Sequence, residues 1–158
     1  MPAIATIGVY GWTLDGWLDA LRAAGVRLVV DVRQRRGVRG SEYAWANAQR
    51  LQAVLADAGI AYEHRQELAP TTELRQLQYA EDDRLGVGKR SRVDLAPEYV
   101  ERYEREILGQ VDLPPIVEQL PAAVLMCVER DPEACHRSLI ADRLAAEFDF
   151  TVTHLRPA

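Results

Sequence analysis

Short apolar runs alternate with segments of helical periodicity along this chain, and this alternation constrains the fold more than any other feature. The apolar runs are Ala5–Val9, Leu28–Val30, Ile60–His64, Ala123–Val128 and Phe150–Leu155. The run at 123–128 lacks polar alternation, which is typical of a strand covered on both faces. Strands that alternate with helices predict a mostly parallel sheet with helices on both faces. We therefore predict the α/β class, as a single three-layer Rossmann-like domain whose sheet has about five strands.

Helices are predicted between these strands, and several have recognisable ends. Thr13 is suited to cap the first helix, and Gly25 to end it. Pro97 suits the first turn of a helix that runs to about residue 108, and the last helix is predicted over 135–147. The stretch 66–97 is too long for a plain connection, although 72–85 has helical character. We predict that it is an insertion or lid over the sheet edge, within one domain that spans 1–158.

Composition and charge restrict the classes of function. The formal net charge of the 158 residues is -5, which argues against bulk binding of nucleic acid. No apolar run approaches the ~20 residues of a membrane span, and no signal peptide is recognisable. Two cysteines are too few for a disulfide scaffold. We expect a cytoplasmic protein in a reducing compartment, with no membrane partner.

Positive charge is nevertheless concentrated in two predicted loops. The basic residues are Arg33, Arg35, Arg36 and Arg39 in one loop and Lys89, Arg90 and Arg92 in the other. Loops of this kind either bind a phosphate-bearing ligand or form solvated turns. Because arginine is abundant throughout the chain, the sequence leaves both interpretations open.

The segment that joins the fourth predicted strand to the last helix is the most informative for chemistry. It runs from Cys127 through Glu129 to Cys135, His136 and Arg137. Ligands of open parallel sheets bind at the carboxyl ends of strands, and a helix N-terminus favours anions. A cysteine beside a histidine at such a helix start is the setting in which a thiol becomes reactive. We predict that Cys135, His136 and Glu129 are catalytic, and that Arg137 and Cys127 contribute to ligand binding.

Each of these residues also has a purely structural interpretation. The two cysteines are equally suited to packing, or to forming a redox pair with each other. His136 is suited to bonding a strand-end carbonyl, Glu129 to pairing with an arginine, and Arg137 to facing solvent. We predict no metal site, since the cysteines do not form a paired Cys-x-x-Cys knuckle. Adjacent residues on a helix also project about 100° apart.

Further binding residues are predicted at the ends of the first two strands. Gly8 and Tyr10 follow the first strand, and Asp31 and Arg33 end the second. A glycine turn with an acid about 20 residues later is similar to a dinucleotide site, but the G-x-G-x-x-G pattern is missing. We therefore predict no nicotinamide or flavin cofactor. Asp31 and Arg33 either contact a ligand or form an internal ion pair that orders the loop.

Several short motifs, taken together, resemble one known family. They are Thr6-Ile7-Gly8, Leu28 to Arg33, Gly59 to Tyr62 before Glu67-Leu68, Cys127-Val128-Glu129 with Cys135-His136-Arg137, and the final His154-Leu155. The chain resembles the bacterial and archaeal domain-of-unknown-function-488 family over nearly its whole length. The resemblance implies a compact α/β domain with its site at these residues, and no particular reaction. The chain departs from the family at Val9-Tyr10, where members often have His-Ser.

These observations lead to one principal functional hypothesis and two alternatives. The principal hypothesis is that a phosphorylated small molecule or nucleic acid binds at the helix start, with hydrolase or transferase chemistry. The first alternative is a non-enzymatic module that binds nucleic acid or an acidic protein through its arginine-rich loops. The second is a thiol redox sensor based on a bond between Cys127 and Cys135.

Overall fold

Five strands and their flanking helices make up most of residues 2–117 and 122–158, which the computed structural model describes. The strands are β1 (Ala3–Ile7), β2 (Leu28–Asp31), β3 (Ala61–His64), β4 (Ala123–Met126) and β5 (Thr151–Leu155). The α-helices are α1 (Leu14–Ala23), α2 (Ala48–Asp57), α3 (Thr72–Leu85), α4 (Pro97–Glu106), α5 (Leu113–Val117) and α6 (Arg137–Phe148).

The strands form one sheet in the order β3-β2-β4-β1-β5, and every neighbouring pair is parallel. The fourth strand along the chain is therefore inserted at the centre, between β2 and β1. Each of its four residues is buried, which explains why its sequence lacks polar alternation. The α/β class is confirmed. Because chain order reverses around β4, a crevice is expected beyond its carboxyl end.

Two hydrophobic cores cover the two faces of the sheet, as a three-layer fold requires. Val124 and Met126 of β4 face a core that contains Trp17 of α1 and Leu51 of α2. Leu125 faces the opposite core, to which α3, α4, α5 and α6 contribute. Side chains that alternate in direction along a single strand thus pack into both cores.

Local sequence signals account for several of the element ends. The Thr13 hydroxyl accepts a hydrogen bond from the Gly16 amide at 3.1 Å, and so caps α1. Gly25 follows that helix with a φ of 69°, which favours glycine. Pro97 is the first residue of α4, as predicted.

The last helix begins later than the predicted residue 135. Pro132–Ala134 forms a short 3₁₀ helix, and Cys135 has an extended backbone with φ -139° and ψ 146°. The regular helix α6 therefore starts at Arg137. The predicted strands at 5–9 and 123–128 also end earlier, because the chain leaves the sheet at the rim. There the amides of Val9 and Tyr10 both donate to the carbonyl of Val128.

The stretch 66–97 is tied to the rest of the domain through buried residues. It contains a short 3₁₀ helix at Gln66–Leu68, then α3 and a loop that leads to α4. Leu68 and Leu74 are buried in the core on the α4 side. Opening of this stretch as a lid stays a prediction. Among the described residues, no helix has both the length and the apolarity that crossing a bilayer requires.

Gly8 provides a test of the close packing at the rim. A Cβ atom at Gly8 would overlap the carbonyl oxygen of Glu129 and lie 3.3 Å from an Arg137 nitrogen. We expect Gly8→Ala to lower the free energy of unfolding by about 3 kcal/mol, because backbone rather than a flexible side chain must move. Gly37→Ala is the control, since the nearest atom to its Cβ, Oδ1 of Asn47, is 4.0 Å away. Urea denaturation measures both, and equal stability of the two variants would contradict the packing described here.

Candidate active site

A cleft opens at the carboxyl ends of β2 and β4, beneath α3 and the loop that follows it. It encloses about 490 Å³, counting the space at its open mouth. The charged, thiol and imidazole side chains that line it are Arg33, Arg35, Arg75, Lys89, Arg92, Cys127, Glu129, Cys135 and His136. The three predicted catalytic residues thus lie together in one cleft.

Two thiols and one imidazole converge at the end of the cleft nearest β4. The Nδ1 atom of His136 is 3.7 Å from the Sγ atom of Cys127 and 3.7 Å from that of Cys135. All three atoms lie within 4.8 Å of one another. The expectation that Cys135 and His136 diverge was based on a helix that begins at Cys135, and it is wrong. The extended backbone of Cys135 turns its sulfur back toward the imidazole.

The orientation of the His136 ring is fixed by the neighbouring strand. Its Nε2 atom lies 2.8 Å from the carbonyl oxygen of Val32, just beyond β2. A carbonyl only accepts hydrogen bonds, so Nε2 carries a proton and Nδ1 is directed at the sulfurs. The ring of Tyr103 packs edge-on against the imidazole with centroids 5.5 Å apart. His136 therefore bonds a strand-end carbonyl and faces the cleft at the same time.

The electrostatic environment makes the two thiols unlike each other. Burial would raise the pKa of Cys135, but a hydrogen bond from Cys127 and the positive charge of His136 bring it well below its ordinary value. Burial raises the pKa of Cys127 well above its ordinary value. Burial lowers the pKa of His136, yet the negative charge of Cys135 outweighs this and the net shift is upward. Both shifts favour a thiolate at Cys135 beside an imidazolium at His136, whose Nδ1 lies 3.7 Å from the sulfur.

Glu129 lies beside this pair and is equipped to carry a proton. Its Oε2 atom lies 3.5 Å from the Cys127 sulfur, and its Oε1 atom accepts from Arg92 at 3.3 Å. Burial raises the pKa of Glu129 and the charge of Cys135 adds to this, although Lys89 and Arg92 oppose the shift. A carboxyl group with a raised pKa is suited to general acid and base work. Glu129 also forms an ion pair with Arg92, which is the structural role that the sequence left open for it.

Asp31 and Arg33 form an internal ion pair below the rim. Their side chains are 0% and 2% exposed, and Arg33 donates to both carboxylate oxygens at 2.9 and 2.8 Å. Arg33 also donates to the Ala46 carbonyl, and the Tyr62 hydroxyl donates to Asp31 at 2.6 Å. The internal ion pair, one of the two roles predicted for Asp31 and Arg33, is therefore present in the structure. Arg33 still contributes to the cleft wall.

The other predicted binding residues surround the cleft rather than line it. Arg137 is fully buried and donates to the carbonyls of Glu129 and Arg130 at 2.7 and 3.2 Å. Gly8 admits this guanidinium because it has no side chain. The ring of Tyr10 packs at a tilt against that of Tyr43, with centroids 5.3 Å apart. Neither Arg137 nor Tyr10 is among the described residues that line the cleft.

Most basic residues of the two loops have protein partners. Arg36 donates to the Tyr62 hydroxyl, Arg90 pairs with Glu42, and Arg92 pairs with Asp82 at 2.6 Å. Arg35 and Lys89 differ, because both line the cleft and, within the described part of the chain, neither has a hydrogen bond or ion pair.

Sequence reasoning missed the contribution of α3 to the cleft. Arg75, Gln78 and Tyr79 of this helix line the wall, and Arg75 donates to the Gln34 side chain at 2.8 Å. Gln78 and Asp82 are buried although they are polar. Their spacing of four residues places them on one face of α3. The signal available in the sequence was the spacing of four residues between the polar side chains of Gln78 and Asp82.

Fold and site together define a class: a Rossmann-like α/β protein with a thiol–imidazole–carboxyl cluster at the carboxyl edge of its sheet. The model of the domain of unknown function DUF488 matches residues 13–144, which is most of the chain. The chain therefore belongs to the DUF488 family, and the family resemblance stated from its motifs is confirmed. No curated protein and no solved structure matches it.

The buried ion pair at the rim gives a test of how the cleft wall is held. We expect Asp31→Asn to lower the free energy of unfolding by about 3 kcal/mol, because the buried Arg33 charge loses its counterion. Asp57→Asn is the control, since Asp57 is exposed at the end of α2. Thermal and urea denaturation measure the difference. A loss no larger than that of Asp57→Asn would show that Arg33 needs no carboxylate partner.

Proposed function

We propose that this protein is an enzyme that binds a phosphorylated ligand in the cleft and acts on it at the Cys135–His136–Glu129 cluster. The observation that carries the proposal is the pair of uncommitted cations. Arg35 and Lys89 line the cleft without hydrogen-bond or ion-pair partners among the described residues. Lys89 is partly buried, and a nearby Glu129 carboxylate helps to raise its pKa against the effect of burial. An anionic ligand stabilises the charge of a partly desolvated cation.

The charge of the cleft favours a phosphate-bearing ligand such as a nucleotide or phosphosugar. Five of its lining residues are cationic: Arg33, Arg35, Arg75, Lys89 and Arg92. Among the described lining residues, Glu129 is the acidic one. Guanidinium groups form bidentate hydrogen bonds with phosphate oxygens, so Arg35 is well suited to this contact.

The cluster supports transfer of a phosphoryl group in two steps. In the first, Cys135 Sγ attacks phosphorus, the bond to the leaving oxygen breaks, and Glu129 gives that oxygen a proton. In the second, water attacks the phosphocysteine, Glu129 takes back a proton, and the phosphorus–sulfur bond breaks to restore the thiolate. His136, 3.7 Å from the sulfur, stabilises the thiolate before the first step and again when the second step restores it. An acceptor hydroxyl in place of water makes the reaction a transfer instead of a hydrolysis.

Two arginines of the same loop offer a matched test of ligand binding. Both side chains are exposed, but Arg35 lines the cleft and Arg39 lies outside its lining. We expect Arg35→Ala to weaken binding of nucleoside phosphates about 10-fold, because its guanidinium lines the cleft. Arg39→Ala removes the same charge outside the lining and should change binding less than 2-fold. Isothermal titration calorimetry with inorganic phosphate and with nucleoside mono-, di- and triphosphates measures both effects.

The outcomes separate the proposal from its alternative. Equal weakening by both substitutions would favour a non-enzymatic module that binds through its basic surface, and no binding of any phosphate would overturn the proposal. For a ligand that binds, phosphate release is assayed with Cys135→Ser, which should retain binding and lose at least ~100-fold in rate. Full activity of that variant would remove Cys135 as the nucleophile.

A further inference from the structure

We propose that Cys127, Cys135 and His136 form a binding site for one Zn²⁺ ion at the floor of the cleft. Three side-chain atoms converge there, one from Cys127 at the end of β4 and two from the adjacent residues Cys135 and His136 before α6. The two thiol sulfurs and His136 Nδ1 lie within 4.8 Å of one another, and all three residues are buried. Zinc binding does not depend on whether a phosphorylated ligand also binds.

The two sulfur–nitrogen distances match those of a tetrahedral zinc site. With Zn–S bonds of about 2.3 Å and a Zn–N bond of about 2.0–2.1 Å, tetrahedral angles place sulfur and nitrogen about 3.6 Å apart. The observed separations from His136 Nδ1 are 3.7 Å to each sulfur. The same geometry places two sulfurs about 3.8 Å apart, and the observed upper bound is 4.8 Å. Small side-chain rotations therefore suffice to close the site around an ion.

The surroundings hold the three ligands in the required state. Metal-binding histidines usually donate their other ring N–H to a carbonyl or carboxylate, and His136 Nε2 lies 2.8 Å from the Val32 carbonyl. Cys127 directly follows the buried central strand. The Cys135 amide donates to Pro132, and its carbonyl accepts from the Ser138 hydroxyl at 2.8 Å. The ligands thus come from backbone that is fixed before any metal arrives.

The donor set and the charge balance indicate zinc rather than a hard cation. Two thiolates and an imidazole favour a soft or borderline ion, whereas Mg²⁺ and Ca²⁺ prefer oxygen. Two thiolates also neutralise the charge of Zn²⁺, so no net charge is buried. Glu129 is the nearest carboxyl group, with Oε2 3.5 Å from Cys127 Sγ.

Three protein ligands leave the fourth position of the ion free, as in catalytic zinc sites. All three ligating residues line the cleft, so an exogenous group can reach this position. Cys135 cannot bind zinc and attack a phosphoryl group at the same time. Zinc occupancy and formation of a phosphocysteine therefore exclude each other.

The test uses the full chain, reduced and stripped of metal with a chelator. Titration with Zn²⁺ against a chromophoric chelator should give one ion per chain, and Cys127→Ser should weaken binding at least ~100-fold. His136→Ala should do the same. His64→Ala is the matched control, because His64 Nε2 also lies 2.8 Å from a backbone carbonyl, that of Arg33, outside the three-residue cluster. It should bind zinc like the unaltered chain.

Cobalt substitution makes the test independent of any variant. Co²⁺ in the unaltered chain should give a thiolate-to-cobalt charge-transfer band and the intense visible bands of tetrahedral coordination. Absence of those bands, or zinc binding unchanged in Cys127→Ser, would overturn the site. Arg35→Ala separates the two proposals: it should keep zinc binding while phosphate binding weakens. A chain that binds zinc but no phosphate would overturn the proposed function alone.

Discussion

The insertion of β4 between β2 and β1 is the constraint on which the rest of the structure depends. A central parallel strand is covered on both faces, so its side chains must be apolar, and all four residues of β4 are buried. The same position brings the carboxyl end of β4 to the middle of the rim. Cys127 follows it directly, and Val32, the first residue after β2, provides the carbonyl that holds His136. The chemistry of the site is thus located by the strand order rather than by a flexible loop.

Buried positive charge is the second organising element of the rim. Removing a guanidinium from water is costly unless every charge and donor is matched. Asp31 matches Arg33, and Asp82 and Glu129 match Arg92, whereas Arg137 donates to two backbone carbonyls and its buried Nε has no partner. These interactions fix the walls of the cleft. Arg35 and Lys89 line the cleft without a hydrogen-bond or ion-pair partner in the described structure.

The sequence predicted the fold well because its signals were local. Apolar runs, a capping Thr13 and an N-terminal Pro97 act within a few residues, and the structure contains the elements that they indicate. The failure at the start of α6 has a local cause as well. Pro132 opens a 3₁₀ turn that leaves Cys135 extended, so helical spacing did not apply to the Cys135–His136 pair. The sequence located the cluster correctly but not the direction of its sulfurs.

By itself, the sequence determined the class of fold, the order of its elements and the segment that carries the thiols and imidazole. Tertiary structure alone decided which of the many arginines are structural and which face the cleft. Periodic burial is a property of neighbouring residues, whereas a charged side chain takes its role from partners distant along the chain. His136 bonds a carbonyl 104 residues away, and Arg92 reaches Glu129 across 37 residues. Only the packed sheet brings those groups together.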